Sequence, residues 1–118
     1  MHESCVRKLV FIGSSLDDLR GFPEKVRKEI GFTFYQIQIG KMPHNAKYLK
    51  GFDHGVMEII SDFNKNTYRA VYALKLGESI YVLHAFQKKS KTGIKTPEQE
   101  IKLIERRLLL AKQCTSKT

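Results

Sequence analysis

VMEIISDFNKNTYRAVYALKLGESIYVLHAFQ, residues 56–87, is the stretch on which the fold turns. It holds three runs rich in β-branched and aromatic residues, and both breaks between them carry turn chemistry. Val56 to Phe63 reads as a strand closed by Asp62-Phe63-Asn64-Lys65-Asn66. Thr67 to Leu76 is a second strand, and Gly77-Glu78 is a short hairpin turn. Ser79 to Gln87 returns. Runs joined by short polar turns predict an antiparallel meander.

Upstream, Val6 to Gly13 reads as a strand with two largely apolar faces. Ser14-Ser15 caps a short helical turn, Ser15 with Asp18 three residues on has the spacing of a capping arrangement, and Gly21 stops the turn. Pro23 suits the first position of a helix and Glu24 its positive dipole end. Val26, Ile30, Phe34 and Ile37 then recur on one face, which predicts a helix to about Gly40 and a helical hairpin with the turn before it. Lys41 to Asp53 reads as a basic loop. Downstream, Lys88 to Lys95 is a second basic loop. Thr96-Pro97-Glu98-Gln99 opens a last helix with Ile101, Ile104 and Leu108 on its stripe. The predicted architecture is α+β and single-domain over residues 1–118. An antiparallel sheet carries an N-terminal helical hairpin and a C-terminal helix, in the order β-α-α-β-β-β-α.

A chain of 118 residues fits one hydrophobic core. Hydrophobic residues at 42% and charged residues at 28% are ordinary for a globular protein. No apolar run approaches the roughly 18 residues of a membrane span, and Met1 to Lys8 does not read as a signal peptide, so the expected compartment is the cytoplasm, with no membrane partner. Cys5 and Cys114 stand near opposite ends and imply neither a disulfide framework nor a metal site. Charge is more telling. Twenty-one Lys and Arg against twelve Asp and Glu give +9, which favours a polyanionic partner. No acid lies between Glu29 and Asp53, where Lys41, His44, Lys47 and Lys50 fall, or between Glu78 and Glu98, where His84, Lys88, Lys89, Lys91 and Lys95 fall. Such stretches suit a phosphate-tracking groove, or are simply solvated loops.

Arg69 interrupts the apolar strand Thr-Tyr-Arg-Ala-Val-Tyr. An arginine there must pair with an acid, such as Glu58 across the sheet, or open onto a bound anion; its planar fork suits phosphate. His84 poses the same choice one strand over, between a hydrogen-bonded core residue and a group that moves protons or touches phosphate. Phe86-Gln87-Lys88-Lys89-Ser90-Lys91 places an aromatic ring before packed lysines. That pattern suits base stacking beside phosphate-binding charge, or a solvated loop with Phe86 turned to the core. Crowded lysines depress one another's pKa, so one of them could act as acid or base near neutrality. Metal, glycine-rich phosphate-loop and serine-nucleophile signatures are absent from the sequence. An enzyme built from these residues works without metal or cofactor. RNA permits that chemistry because its 2′-OH is the nucleophile.

Tyr68-Arg69-Ala70-Val71-Tyr72, Tyr81 to Ser90, Thr96-Pro97-Glu98-Gln99-Glu100-Ile101 and Arg106-Arg107 closely resemble the phage-derived, HigB-like branch of the RelE toxin superfamily. Leu49-Lys50-Gly51 and Phe22-Pro23-Glu24-Lys25-Val26-Arg27 also fit, and the likeness spans about residues 6 to 112. The resemblance implies a RelE-like fold and the toxin of a type II toxin–antitoxin pair, a small endoribonuclease that cuts mRNA on the ribosome. It also implies silencing by a cognate helix-turn-helix antitoxin. Carried over by position, Arg69 contacts the scissile phosphate, while Lys88 and Lys89 stabilise the transition state or move protons. Phe86 is a stacking residue, and Lys47 and Lys50 hold RNA backbone. The sequence departs from the family pattern in Glu58-Ile59-Ile60, where many relatives carry an Arg, and in having no Tyr or His from residue 96 onward. Two other functions fit the charge: a non-catalytic RNA- or ribosome-binding regulator of translation, and a module that binds an acidic protein.

Overall fold

The computed structural model describes residues 6–52, 55–88 and 96–116. Its elements are β1 (Leu9–Phe11), α1 (Ser15–Arg20), α2 (Glu24–Gln38), β2 (Ala46–Tyr48), β3 (Val56–Phe63), β4 (Asn66–Ala73), β5 (Ile80–Lys88) and α3 (Glu98–Ser116). They form an α+β fold around one five-stranded sheet of order β1-β5-β4-β3-β2. The meander is β3, β4 and β5, paired antiparallel. At its first turn Asn64 and Lys65 both take positive φ, 51° and 66°, between the paired Phe63 and Asn66. Two such residues give the twist that a two-residue hairpin needs.

Three features depart from the sequence expectation. The first strand is three residues long and pairs parallel with β5, Leu9 opposite Ile80, so the sheet is mixed rather than wholly antiparallel. The basic loop contains an edge strand, β2, antiparallel to β3. Ser14, not Ser15, stands at the N-cap of α1 and donates to the Asp18 carboxylate, whereas the Ser15 hydroxyl is buried and donates to the Val82 carbonyl. Pro23 likewise precedes α2 as its cap residue. That helix ends at Gln38 because Gly40 turns left-handed, φ 90°, and the Gly40 and Lys41 amides close back on the carbonyls of Ile37 and Gln36.

The sheet divides the core in two. One face packs Met57, Ile59, Tyr68, Ala70, Tyr72, Ile80 and Val82 against Val26, Ile30, Phe34 and Ile37 of α2. The other packs Val71, Ala73, Tyr81 and Leu83 against Ile104, Leu108 and Ala111 of α3. Between Val71 and Tyr72 the register with β5 shifts, because Val71 faces His84 while Tyr72 faces Val82, leaving Leu83 without a cross-strand partner. This β-bulge resets the alternation of side chains. Beyond it His84, Phe86 and Lys88 share the α3 face with Arg69.

Candidate functional site

The α3 face is apolar along Ile104, Leu108 and Ala111 but polar at the end where β5 finishes. Register builds that end strand by strand. Lys47 of β2 lies opposite Glu58 of β3, Glu58 opposite Val71, Arg69 of β4 opposite Phe86, and Thr67 opposite Lys88. Lys47, Glu58, Arg69 and Lys88 thus converge from four adjacent strands.

Arg69 is on the central strand, only 6% exposed, and it pairs with Glu58, itself 3% exposed. Arg69 Nη1 donates to both carboxylate oxygens, at 3.0 and 2.9 Å. The pairing that the sequence offered as one of two outcomes is therefore present, but it does not use up the arginine. Among the described residues Arg69 Nε is buried with no hydrogen-bond partner, and so is Lys88 Nζ. Lys88 is 5% exposed. Burial, followed by the Arg69 charge, holds its ammonium below the ordinary lysine range; Glu58 acts in the opposite direction and Lys47 adds to the depression. Lys47 is exposed, with its Nζ 4.0 Å from Glu58 Oε1. Lys50 is exposed just beyond β2. Lys89 and Lys91 lie outside the described residues.

His84 is 5% exposed and engaged at both ring nitrogens. Its Nε2 lies 2.7 Å from Glu100 Oε1 and its Nδ1 3.4 Å from Arg107 Nη1. A guanidinium can only donate, so Nδ1 accepts and Nε2 carries the proton toward Glu100. This arrangement fixes β5 to α3. Phe86 is 7% exposed within the α3-side cluster, stacked on His84 with centroids 5.0 Å apart. It faces the core instead of offering an open stacking surface.

Two contributors were not singled out as site residues from sequence. Glu58 appeared only as a possible pair for Arg69, although an acid in Val-Met-Glu-Ile-Ile is the same kind of signal as the arginine. Arg107 donates to the Leu83 carbonyl at the bulge and to the Ser14 hydroxyl, joining α3, β5 and α1; no local pattern could show this. Among the described residues no group of three His, Cys, Asp or Glu side chains could hold a metal ion, and no helix is long and apolar enough to cross a membrane. Chemically, the face offers one guanidinium anchored at Nη1, a buried amine whose charged form is disfavoured, and an exposed lysine beside them.

The fold resembles two solved toxins. An arginine-to-alanine double mutant of the E. coli toxin RelE in the free state superposes with a TM-score of 0.61 at 16% identity, covering 86% of this chain and 97% of that one. The toxin–antitoxin complex RelBE2 from Mycobacterium tuberculosis matches with a TM-score of 0.52 at 12% identity, covering 76% and 100%. No curated protein matches the chain in sequence. The model of the phage-derived Gp49-like proteins (DUF891) matches residues 17–109, which include all five elements from α2 to β5 and most of α3. With that match and the fold of the RelE toxins, the chain belongs to the phage-derived Gp49-like family.

Proposed function

We propose that this protein is the toxin of a type II toxin–antitoxin pair of the HigB-like kind, and that it acts in the cytoplasm as a metal-independent, ribosome-dependent mRNA endoribonuclease. The observation that carries the reading is the pair of buried cationic side chains, Arg69 and Lys88, each with a nitrogen that has no partner among the described residues. Buried donors are rarely left unmatched, and a phosphodiester in a single strand supplies the missing acceptors.

In this reading Glu58 holds the arginine by Nη1 and leaves its Nε edge for the scissile phosphate. Lys88, whose charged form is disfavoured by burial and by the Arg69 charge, takes the proton of the 2′-OH in its neutral form. The 2′-oxygen attacks phosphorus, the bond to the 5′-oxygen breaks, and the products are a 2′,3′-cyclic phosphate and a 5′-hydroxyl. The lysinium so formed then faces the negative charge growing on phosphate. A second lysine, Lys89 by its place in the chain or Lys47 beside Glu58, protonates the leaving oxygen. Lys47, Lys50 and Lys91 track the backbone. His84 and Phe86 hold the end of β5 in place. A cognate antitoxin of the helix-turn-helix kind silences the protein; the M. tuberculosis relative was solved as a toxin–antitoxin complex.

The test is induced expression in a bacterial host, with new mRNA 5′ ends mapped for wild type, Arg69→Ala and Lys88→Met. Cuts at defined codon positions in translated messages, lost in both variants, support the reading. Growth arrest without new ends would replace it with a non-catalytic regulator that blocks translation by binding. Undiminished toxicity in a folded Arg69→Ala protein would remove Arg69 from the site.

A further inference from the structure

The face of the sheet turned away from Arg69 carries a second concave surface. Between the C-terminal half of α2 and the loop that leads into β2 lies an open cleft of about 350 Å³. Two of its walls are apolar, and Phe32 on the helix and Met42 on the loop are 61% and 63% exposed. Its polar groups are fastened. Glu29 accepts a hydrogen bond from the buried Ser61 hydroxyl of β3, and among the described residues its carboxylate forms no ion pair. The Thr33 hydroxyl donates to the Glu29 carbonyl at 2.9 Å and accepts from the Asn45 amide at 3.0 Å. The loop is tied at both ends, by the Lys41 amide to the Gln36 carbonyl and by the Ile60 amide to the Asn45 carbonyl. Lys41 and His44, both exposed, complete the lining.

We propose that this cleft is a guanine-nucleotide site, with the base between Phe32 and Met42, its Watson–Crick edge on the Glu29 carboxylate and its phosphate on Lys41 and His44. A carboxylate only accepts hydrogen bonds, and each of its two oxygens has two lone pairs, so the Ser61 bond leaves both able to accept. Guanine is the RNA base that sets two donors side by side on that edge, N1–H and the 2-amino group. Adenine and cytosine set a ring acceptor beside one amino group, and uracil flanks its N–H with two carbonyls. Each of these turns a lone pair toward the acid. Apolar walls around a few placed polar groups are the make-up of a small-ligand site, and a ring and a thioether suit the flat face of a base. Ser61 orients the acid before any ligand arrives, which lowers the cost of binding. The ligand is a free guanine nucleotide or a guanosine within single-stranded RNA. Neither depends on cleavage, because Met57 and Ile59 lead to Ser61 on the α2 face of β3, whereas Arg69 and Lys88 lie on the α3 face.

The experiment titrates the full chain with guanosine, inosine and adenosine monophosphates, followed by calorimetry and thermal melts. It adds uridine hexamers carrying one central guanosine or adenosine, made with 2′-O-methyl sugars so that no 2′-OH can attack. Inosine lacks only the 2-amino group of guanosine. We expect the guanine ligand to bind tightest, the inosine form about tenfold more weakly and the adenine form more weakly still. Glu29→Gln keeps the side-chain length and an oxygen for Ser61, and is expected to remove the preference for guanine. Phe32→Ala changes an exposed side chain, so its fold is expected to persist while affinity falls about tenfold. Guanine bound no tighter than adenine, as nucleotide and as hexamer alike, overturns the proposal. So does an unchanged preference in Glu29→Gln or an unchanged affinity in Phe32→Ala. A guanosine hexamer bound more tightly than the monophosphate, with the gain lost in Glu29→Gln, points to RNA as the source. A hexamer bound more weakly than the monophosphate points to the free nucleotide.

Discussion

Both carboxylate oxygens of Glu58 accept from the same nitrogen of Arg69, Nη1, although the two side chains are 3% and 7% exposed and a flat guanidinium edge could have met the carboxylate with two nitrogens. The acid grips the arginine by its tip. Such a contact orients the guanidinium while leaving Nε to point elsewhere, and it makes the two residues interdependent.

Removing one member of this buried pair strands the other. Arg69→Ala and Glu58→Ala are each expected to cost about 3–5 kcal/mol. The double replacement by leucine and methionine is expected to recover most of that loss yet remain inactive. Denaturant unfolding of the four proteins gives the comparison, and additive losses would disprove the interdependence.

Lys88 makes a pH prediction. Its folded pKa is lowered, so the unfolded chain binds more protons between that value and the ordinary lysine value. Below the window both states are charged and the full burial penalty applies. Through the window wild-type stability rises with pH, and above it the penalty is gone. Lys88→Met is therefore expected to be more stable than wild type at low pH, with the gap closing as pH rises. If neutral Lys88 is the base, the cleavage rate rises with pH through the same lowered value. Melts and single-turnover rates across pH check both.

Arg107→Met removes donors to the Leu83 carbonyl, the Ser14 hydroxyl and His84. A loss of about 1–3 kcal/mol is expected, with faster amide exchange in α3 and at the end of β5. Lysine at this position lacks the fork and should not restore protection.

Gly13 has φ 59°, and a Cβ there would sit 2.8 Å from Arg107 Nε. Gly13→Ala combines backbone strain with displacement of that side chain, and is expected to destabilise by more than about 1 kcal/mol. Gly31→Ala, in α2 with open space around it, should stabilise slightly. Paired melts distinguish the two.

Lys47→Ala and Lys50→Ala change exposed side chains and should leave stability within about 0.5 kcal/mol. If these residues touch phosphates, each lowers the salt dependence of RNA binding by about one unit of slope. Binding measured from low to moderate salt provides the check.

Much of the sheet was legible in the sequence because it is written in local terms. β3 runs from Val56 to Phe63 as its apolar run and turn residues foretold, and β4, β5 and α2 fall within a few residues of expectation. β2 was hidden because three residues among lysines carry no periodicity, and an edge strand is specified by its neighbour more than by itself. The pairing of β1 could not be read either, since three residues beside a distant strand leave no trace of direction. Arg69 was legible as a misfit, and Glu58 as its possible partner. That Lys88 is buried, that Phe86 faces inward and that His84 is held between Glu100 and Arg107 all depend on the register of β4 with β5 and on where α3 lands.

The bulge at Leu83 means that β5 can be zipped to β4 in two ways. A regular ladder continued from Tyr72 would turn His84, Phe86 and Lys88 toward α2 and leave Arg69 facing alanine. Arg107, donating to the Leu83 carbonyl, favours the bulged alternative, and it arrives on a helix made after the whole sheet. The lysine's aim is thus set by the last element of the chain as well as by the sheet that carries it.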